Sequence, residues 1–125
     1  MRYALLVYET QELFELRRSY DANEPMLAAW HAYYRSLVDA GIYVGGDPLH
    51  PPDTGTTVRV RHGERDIQDG PYANTKEQLA GFILVELPSL DAAIEWAARC
   101  PAAAIGAMEV RPLAEEVKDR IERTA

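Results

Sequence analysis

The residues best suited to chemistry in this chain cluster in DGPYANTKEQ, at residues 69–78. Asp69 could act as a general base, and Tyr72 could donate its phenolic hydroxyl to a ligand. Lys76 and Glu77 begin the next segment, where a lysine could contact an anion and a glutamate could accept from a polar group. We therefore take all four as candidate site residues, with Asp69 as the candidate catalytic base.

The same stretch also has a purely structural interpretation. Asp69 can accept hydrogen bonds from nearby amides, Gly70 can take unusual dihedrals and Pro71 fixes φ, so the three can form a turn without any ligand. Tyr72 could simply cover the core. Both interpretations stay open at this stage.

A second pair of charged residues lies in the last predicted strand. Met108 and Val110 alternate there with Glu109 and Arg111, so one face is apolar and the other carries an acid and a base. Glu109 is a candidate base, and Arg111 is a candidate ligand contact because a guanidinium binds carboxylate through two parallel hydrogen bonds. Alternatively, the two form an ion network with the arginines of a predicted hairpin.

We predict no metal and no cofactor. Asp47, His50 and Asp53 have a D-x-x-H-x-x-D spacing, but the spacing is loose and the flanking prolines are stiff. Cys100 precedes a proline and fits a small buried residue at a helix end, with no partner base in view. The sequence also has no Gly-rich phosphate loop and no G-x-S-x-G motif.

The elements that must position these residues can be predicted from hydrophobic periodicity and capping signals. Thr75 and Gln78 fit a capping box, which predicts one helical turn over residues 76–79. In chain order the other predicted elements are a strand at 2–9, a connector at 17–24, a helix at 25–41, a strand from 42, a hairpin within 56–70, a strand at 80–87, a helix from Ser89 to Pro101, a strand at 105–113 and a short helix in the tail 113–125.

This alternation favours an α+β fold, a ferredoxin-like sandwich with an inserted β-hairpin and two helices on one sheet face. The strands at 2–9 and 80–87 are apolar on both faces, however. A bare second face would expose a large apolar patch, which monomers rarely tolerate. The pattern therefore predicts that two copies stack their open faces as a homodimer.

Composition narrows the class of protein. The chain has 125 residues, enough for one domain that spans 1–125, and it is 47% hydrophobic and 26% charged. A net charge of -7 and scattered basic residues argue against nucleic acid and against an anionic membrane. No apolar run reaches the length of a membrane span or signal segment, and the single cysteine suits a reducing compartment, so we expect a cytoplasmic protein.

The chain resembles the DGPF branch of the YCII-related domain family across nearly its whole length. The signature is Asp69-Gly70-Pro71-Tyr72 followed by Thr75-Lys76-Glu77 and Gly81, with Tyr72 in place of the usual Phe and Asn74 in place of the usual Glu. The other segments that agree are 3–8, Trp30, Tyr34, Leu37 and Ala40-Gly41, then Gly46, Leu49, Pro51, 57–59, 89–97 and 109–113.

The resemblance implies a dimeric α+β barrel built from two ferredoxin-like halves, and an association with extracytoplasmic-function sigma factors. It also implies enzymes that use a His–Asp pair, with the His on the first helix. Here that position is occupied by Trp30, which we take as a ligand-binding residue. His31 is not expected to replace it, because one step around a helix rotates a side chain by about 100°.

Together these observations predict a small-molecule site at the dimer-side sheet face. The ligand would be an organic molecule with an anionic or carbonyl group, and acid–base catalysis there is an open question. The alternative function is a non-catalytic regulatory module that works beside a sigma factor.

Overall fold

The computed structural model of the protein describes residues 1–18 and 24–125. Its elements, in chain order, are β1 (Arg2–Thr10), α1 (Gln11–Arg17), α2 (Pro25–Asp39), β2 (Tyr43–Pro48), a 3-10 turn (Pro52–Thr54), β3 (Thr56–Arg61), β4 (Glu64–Asp69), β5 (Glu77–Glu86), α3 (Leu90–Ala98), α4 (Pro101–Ile105), β6 (Ala107–Pro112) and α5 (Glu115–Thr124).

Four strands form one antiparallel sheet in the order β2-β5-β1-β6, and β3 and β4 form a separate two-stranded sheet. This is the strand order of a ferredoxin-like sandwich with a hairpin inserted between β2 and β5. The predicted α+β class is therefore confirmed. None of the helices in the described residues is long and apolar enough to cross a membrane.

The core lies between this sheet and the helices. β1 and β5 carry the apolar pairs at its centre, with Leu5 opposite Ile83, and both side chains are buried. Phe14 of α1 and Leu37 of α2 pack on the same side and are almost fully buried. Burial of each large apolar side chain stabilises the fold by roughly 1.5–3 kcal/mol.

The edge strand β2 approaches β5 closely because glycines face the contact. Gly46 has φ +143°, and a Cβ added there would lie 2.3 Å from the carbonyl oxygen of Phe82. On the opposite strand, a Cβ added to Gly81 would lie 2.9 Å from the carbonyl oxygen of Asp47. Only glycine fits at Gly46, in both conformation and space.

Helices α1 to α4 each contribute a buried side chain to the core on one side of the sheet, whereas α5 contributes none among the described residues. Met108 and Val110 pack against the core, as their alternation predicted, while Glu109 and Arg111 lie on the opposite face. We call that surface the open face. Its apolar side chains include Leu6, Phe82 and Leu84, which are half-buried within the single chain.

The predicted helical turn at 76–79 is wrong. β5 begins at Glu77, where the chain already pairs with Thr10 of β1. Thr75 Oγ1 donates to the Glu77 carbonyl oxygen at 2.6 Å, and Gln78 Nε2 donates to the Thr75 carbonyl oxygen at 3.1 Å. These local side-chain hydrogen bonds do form. The strand pairing, however, satisfies backbone N–H and C=O groups that one isolated helical turn would leave without partners.

Two further helices differ from expectation. α1 was not predicted; Thr10 caps it by accepting from the Leu13 amide at 3.4 Å. The predicted helix after Ser89 ends at Ala98, and Pro101 starts α4 rather than only stopping its predecessor. Most of the connector predicted at 17–24 lies outside the described residues.

Candidate functional site

A cavity lies on the helix-covered side of the sheet, between α2 and the strands β2 and β5. It has a volume of about 640 Å³, and we call it the α2 cavity. Leu27 and Trp30 of α2 line one wall, and Val7 and Ile83 of the sheet line another. The sequence predicts a ligand site on the dimer-side face, and this cavity lies on the other side of the sheet from it.

Trp30 and His31 both line the α2 cavity. The Trp30 ring packs edge-on against Tyr33 at 6.2 Å, and the Tyr33 hydroxyl donates to the Trp96 carbonyl oxygen at 2.8 Å. The indole is therefore held in place by the core. Neighbouring side chains on a helix are rotated by about 100° from each other. His31 nevertheless lines the cavity together with Trp30, because a broad surface of α2 faces the cavity. From the sequence, His31 is set aside on that rotation alone.

A buried ion pair lies in the cavity lining. Glu9, at the end of β1, is 7% exposed, and its Oε1 accepts from Arg17 NH2 at 2.7 Å. The same guanidinium donates to the carbonyl oxygens of Leu49 at 2.6 Å and Ala80 at 2.9 Å. Ala80 also accepts from the Leu49 amide at 2.8 Å. Arg17 thus ties α1, the sheet and the loop after β2 into one wall.

Tyr34 of α2 adds a neutral hydroxyl to the lining, hydrogen-bonded to the Tyr43 hydroxyl of β2. Burial raises the pKa of Tyr34 to about 12, and the hydrogen bond to Tyr43 and the charge of Asp47 act in the same direction. Tyr34 therefore remains protonated at neutral pH, as a hydrogen-bonding group rather than a base.

The remaining polar groups of the lining are His31, Asp47 and His50. Histidine and aspartate are the side chains most often used for proton transfer near neutral pH. An apolar cavity of this size with a few polar groups is the usual form of a small-molecule site. Among the described residues, no group of three or more His, Cys, Asp or Glu side chains could hold a metal ion.

A smaller cavity of about 350 Å³ lies on the other side of the sheet edge. Tyr8 and Leu79, which are paired on the open face, line it together with Pro71, Ala73 and Thr75 of the DGPYANTKEQ segment. We call it the loop cavity. Leu49 and His50 line both cavities, so this loop segment forms a wall between them.

Glu109 and Arg111 lie on the open face and bind each other. Arg111 Nε donates to Glu109 Oε2 at 2.9 Å, and the Tyr8 hydroxyl donates to Glu109 Oε1 at 3.1 Å. Arg111, and then Tyr8, hold the pKa of Glu109 below its usual value. Burial, reinforced by the Glu109 hydrogen bond, raises the pKa of Tyr8, and Glu109 raises that of Arg111. These partners differ from the hairpin arginines that we considered as an alternative.

The other predicted site residues are more dispersed. Asp69 ends β4 and pairs with Thr56, and the Tyr72 side chain is 79% exposed with Arg59 at 5.3 Å over its ring. Of all the predicted residues, Trp30 alone lines the α2 cavity, whereas Asp69, Tyr72, Lys76 and Glu77, all within the described part of the chain, line neither cavity. Their proposed roles stay predictions.

The sequence profile of the YCII-related domain matches residues 1–117 of the 125 in the chain. The chain belongs to the YCII-related domain family. An uncharacterised protein of Rhizobium meliloti (strain 1021) is 37% identical over 116 residues, which cover 91% of this YCII-related chain and 93% of that protein.

A solved structure with the same fold is 5-chloro-2-hydroxyhydroquinone dehydrochlorinase from Burkholderia phenoliruptrix AC1100, in complex with 2,5-dihydroxybenzoquinone. It aligns with a TM-score of 0.52 and 16% identity, over 90% of this chain and 93% of that chain. At this identity the likeness establishes the ferredoxin-like fold and nothing about shared chemistry.

Proposed function

We propose that this YCII-related protein binds a small planar organic molecule in the α2 cavity. The observation that carries the proposal is the cavity of about 640 Å³, whose apolar walls include Trp30 and whose polar groups are concentrated among a few ionisable side chains. The structural neighbour is bound to a dihydroxybenzoquinone, a planar carbonyl compound. A planar molecule with a carbonyl or acidic hydroxyl is therefore the first ligand class to test.

We further propose acid–base chemistry on that ligand. Trp30 would stack on its ring, and His31 or His50 would exchange a proton with its polar group, with Asp47 available to orient a histidine or to accept a proton. The Tyr34 hydroxyl, which stays protonated at neutral pH, would donate to a carbonyl oxygen. The protein is in this proposal an enzyme of proton transfer on a carbonyl or enol.

A homodimer that pairs through the open face is also part of the proposal. Leu6, Phe82 and Leu84 stay only half-buried in the single chain, and a second copy would remove them from water. In such a dimer Glu109 and Arg111 would face the partner subunit. A ligand bound by these two residues would then lie between the subunits.

Native mass spectrometry of protein purified rapidly from cells tests the ligand proposal. We expect a retained small molecule that is lost in Trp30→Ala and in His31→Ala but kept in the control variant His62→Ala, at the hairpin tip. Isothermal titration calorimetry with 2,5-dihydroxybenzoquinone should likewise show binding that is lost in Trp30→Ala and His31→Ala and kept in His62→Ala.

The opposite pattern would contradict the assignment to the α2 cavity. Loss of the ligand in Arg111→Ala, with retention in Trp30→Ala, would place the site on the open face as the sequence predicted. The regulatory alternative would be favoured by two results together: the protein neither retains nor binds a small molecule, and a sigma factor co-purifies with it in stoichiometric amounts.

A further inference from the structure

The β3–β4 hairpin is amphipathic, and we call residues 56–69 the arm. In its register Val58 lies opposite Ile67, and Val60 lies on the same face two residues further along β3. These three side chains are 57%, 56% and 60% exposed in that order. An isolated chain therefore presents an exposed apolar strip on one face of the arm, bordered by Arg65 opposite Val60.

The opposite face of the arm is polar and partly contacts its own chain: Thr57 and Arg59 are half-buried, and the Arg59 guanidinium lies 5.3 Å from the Tyr72 ring centroid. Arg59 lies opposite Asp66, and Arg61 lies opposite Glu64, so residues of opposite charge face each other across the two strands. The tip turns at His62 and Gly63, both with positive φ, which matches a two-residue hairpin turn. The arm thus has a polar face that partly contacts its own chain and an apolar face that its own chain leaves exposed.

The arm gains little support from its own chain. Its strands form a sheet of their own, separate from the four-stranded sheet, and every residue of β4 is exposed. A two-stranded hairpin alone is marginally stable in water, and stable hairpins pack an apolar face against something. The exposed strip on Val58, Val60 and Ile67 is the surface available for that packing.

The base of the arm is fixed beside the open face. The Gly70 amide donates to the Gly55 carbonyl oxygen at 2.7 Å, and Thr57 Oγ1 donates to the Gly70 carbonyl oxygen at 3.0 Å. Gly55 also lines the loop cavity, together with Tyr8 of the open face. A molecule placed on the open face would therefore adjoin the arm.

We propose that the apolar face of the arm packs against a second copy of this chain. The proposal rests on the homodimer proposed above and extends its interface beyond the sheet. Charge favours this occupant: the arm holds three arginines and three acidic residues, so it is neutral within a chain of net charge -7. Two acidic chains repel least where their surfaces are neutral.

Site-specific photo-crosslinking tests the proposal directly. p-Benzoylphenylalanine at Ile67 should give a covalent dimer of the full chain, and the crosslinked peptide should come from the second copy. The same amino acid at Gln68, the next residue on the opposite face of β4, should give several-fold less dimer. Equal yields at both positions, or a crosslink from Ile67 to another protein or within its own chain, would overturn the proposal.

Dimer dissociation constants separate the arm from the sheet. Ile67→Asp should weaken the dimer at least about tenfold, the effect of losing one well-buried apolar contact, whereas Gln68→Asp should leave it within about twofold. Leu84→Asp tests the open-face pairing itself. If Leu84→Asp gives monomers while Ile67→Asp stays fully dimeric, the arm proposal fails and the homodimer stands. A monomeric wild type would refute both, without affecting ligand binding in the α2 cavity.

Discussion

Arg17 and Glu9 form a short ion pair, 2.7 Å from NH2 to Oε1, in the wall of the α2 cavity. The side chains are 23% and 9% exposed, so water screens the pair only partly. The guanidinium also donates to the backbone carbonyl oxygens of Leu49 and Ala80. The pair connects the last turn of a short helix to the end of the central strand.

We predict that Arg17→Met destabilises the protein by about 3 kcal/mol, because the substitution leaves the Glu9 carboxylate buried without its partner. Urea denaturation at pH 7 measures the change in the free energy of unfolding. Arg35→Met is the matched control, since its pair with Asp39 has both side chains at least 70% exposed and should change stability by less than about 0.5 kcal/mol. Equal effects at the two positions would show that the Glu9–Arg17 pair is not effectively buried.

Gly46→Ala should be strongly destabilising. The backbone has φ +143°, and the new Cβ would meet the Phe82 carbonyl oxygen at 2.3 Å, so β2 must move away from β5. We expect a loss of about 3 kcal/mol or more, from strain together with lost strand pairing.

Gly45→Ala is the control for this experiment, one residue earlier on the same strand. Among the described residues, no heavy atom beyond its chain neighbours lies within 4 Å of an added Cβ there. Thermal denaturation of both variants should show a clear drop in Tm for Gly46→Ala only. Similar Tm values would mean that β2 does not approach β5 as closely as described.

The Glu109 carboxylate should titrate at lower pH in the wild type than in Arg111→Met. Arg111 stabilises the charged form, and Tyr8 adds a second hydrogen bond, so the pKa in the folded protein lies below its ordinary value. The resulting stability is fully present above the pKa of the unfolded chain, about 4.3, and is lost as the pH falls through the folded value.

Carbon-detected NMR titration of the glutamate carboxyls measures this shift. Tyr8→Phe should move the midpoint upward by less than Arg111→Met does, because the Arg111 bond is the larger cause. Identical midpoints in the wild type and Arg111→Met would show that the two side chains do not pair in solution.

Cys100 should be unreactive in the folded protein. Its side chain is 2% exposed, and burial raises the pKa of the thiol to about 11, so little thiolate forms at pH 8. We expect Ellman's reagent to label less than about a tenth of the folded chain over a period in which the urea-unfolded chain reacts completely. Rapid labelling of the folded protein would instead indicate that α4 opens readily.

The hydrophobic periodicity of the sequence correctly predicted the central helix and strands, because tertiary packing favours the same secondary structure there. Residues 25–39 form a helix within the predicted range 25–41, and Gly41 takes φ +72° just after it. The predicted alternation at Met108–Arg111 correctly divided the core face from the open face. In these segments local preference and packing agree.

The misses have physical causes of two kinds. At 76–79 a local capping signal competed with strand pairing, and pairing with nine residues of β1, across one register shift between Val7 and Tyr8, outweighed one turn. The α2 cavity, in contrast, depends on Arg17 reaching Leu49 and Ala80, which are 32 and 63 residues away in the chain. No local pattern predicts that three such segments meet, so the sequence did not predict the α2 cavity.

The separate pairing of the arm sets a limit on how changes in it can spread. In the described structure β3 and β4 are hydrogen-bonded as one sheet and the four long strands as another. Residues can therefore be inserted at His62-Gly63 without shifting the register of β5 against β1 or β2. The tip is a place for a fluorescent label or an affinity tag that reports on assembly, while the architecture that shapes the α2 cavity is left as it was.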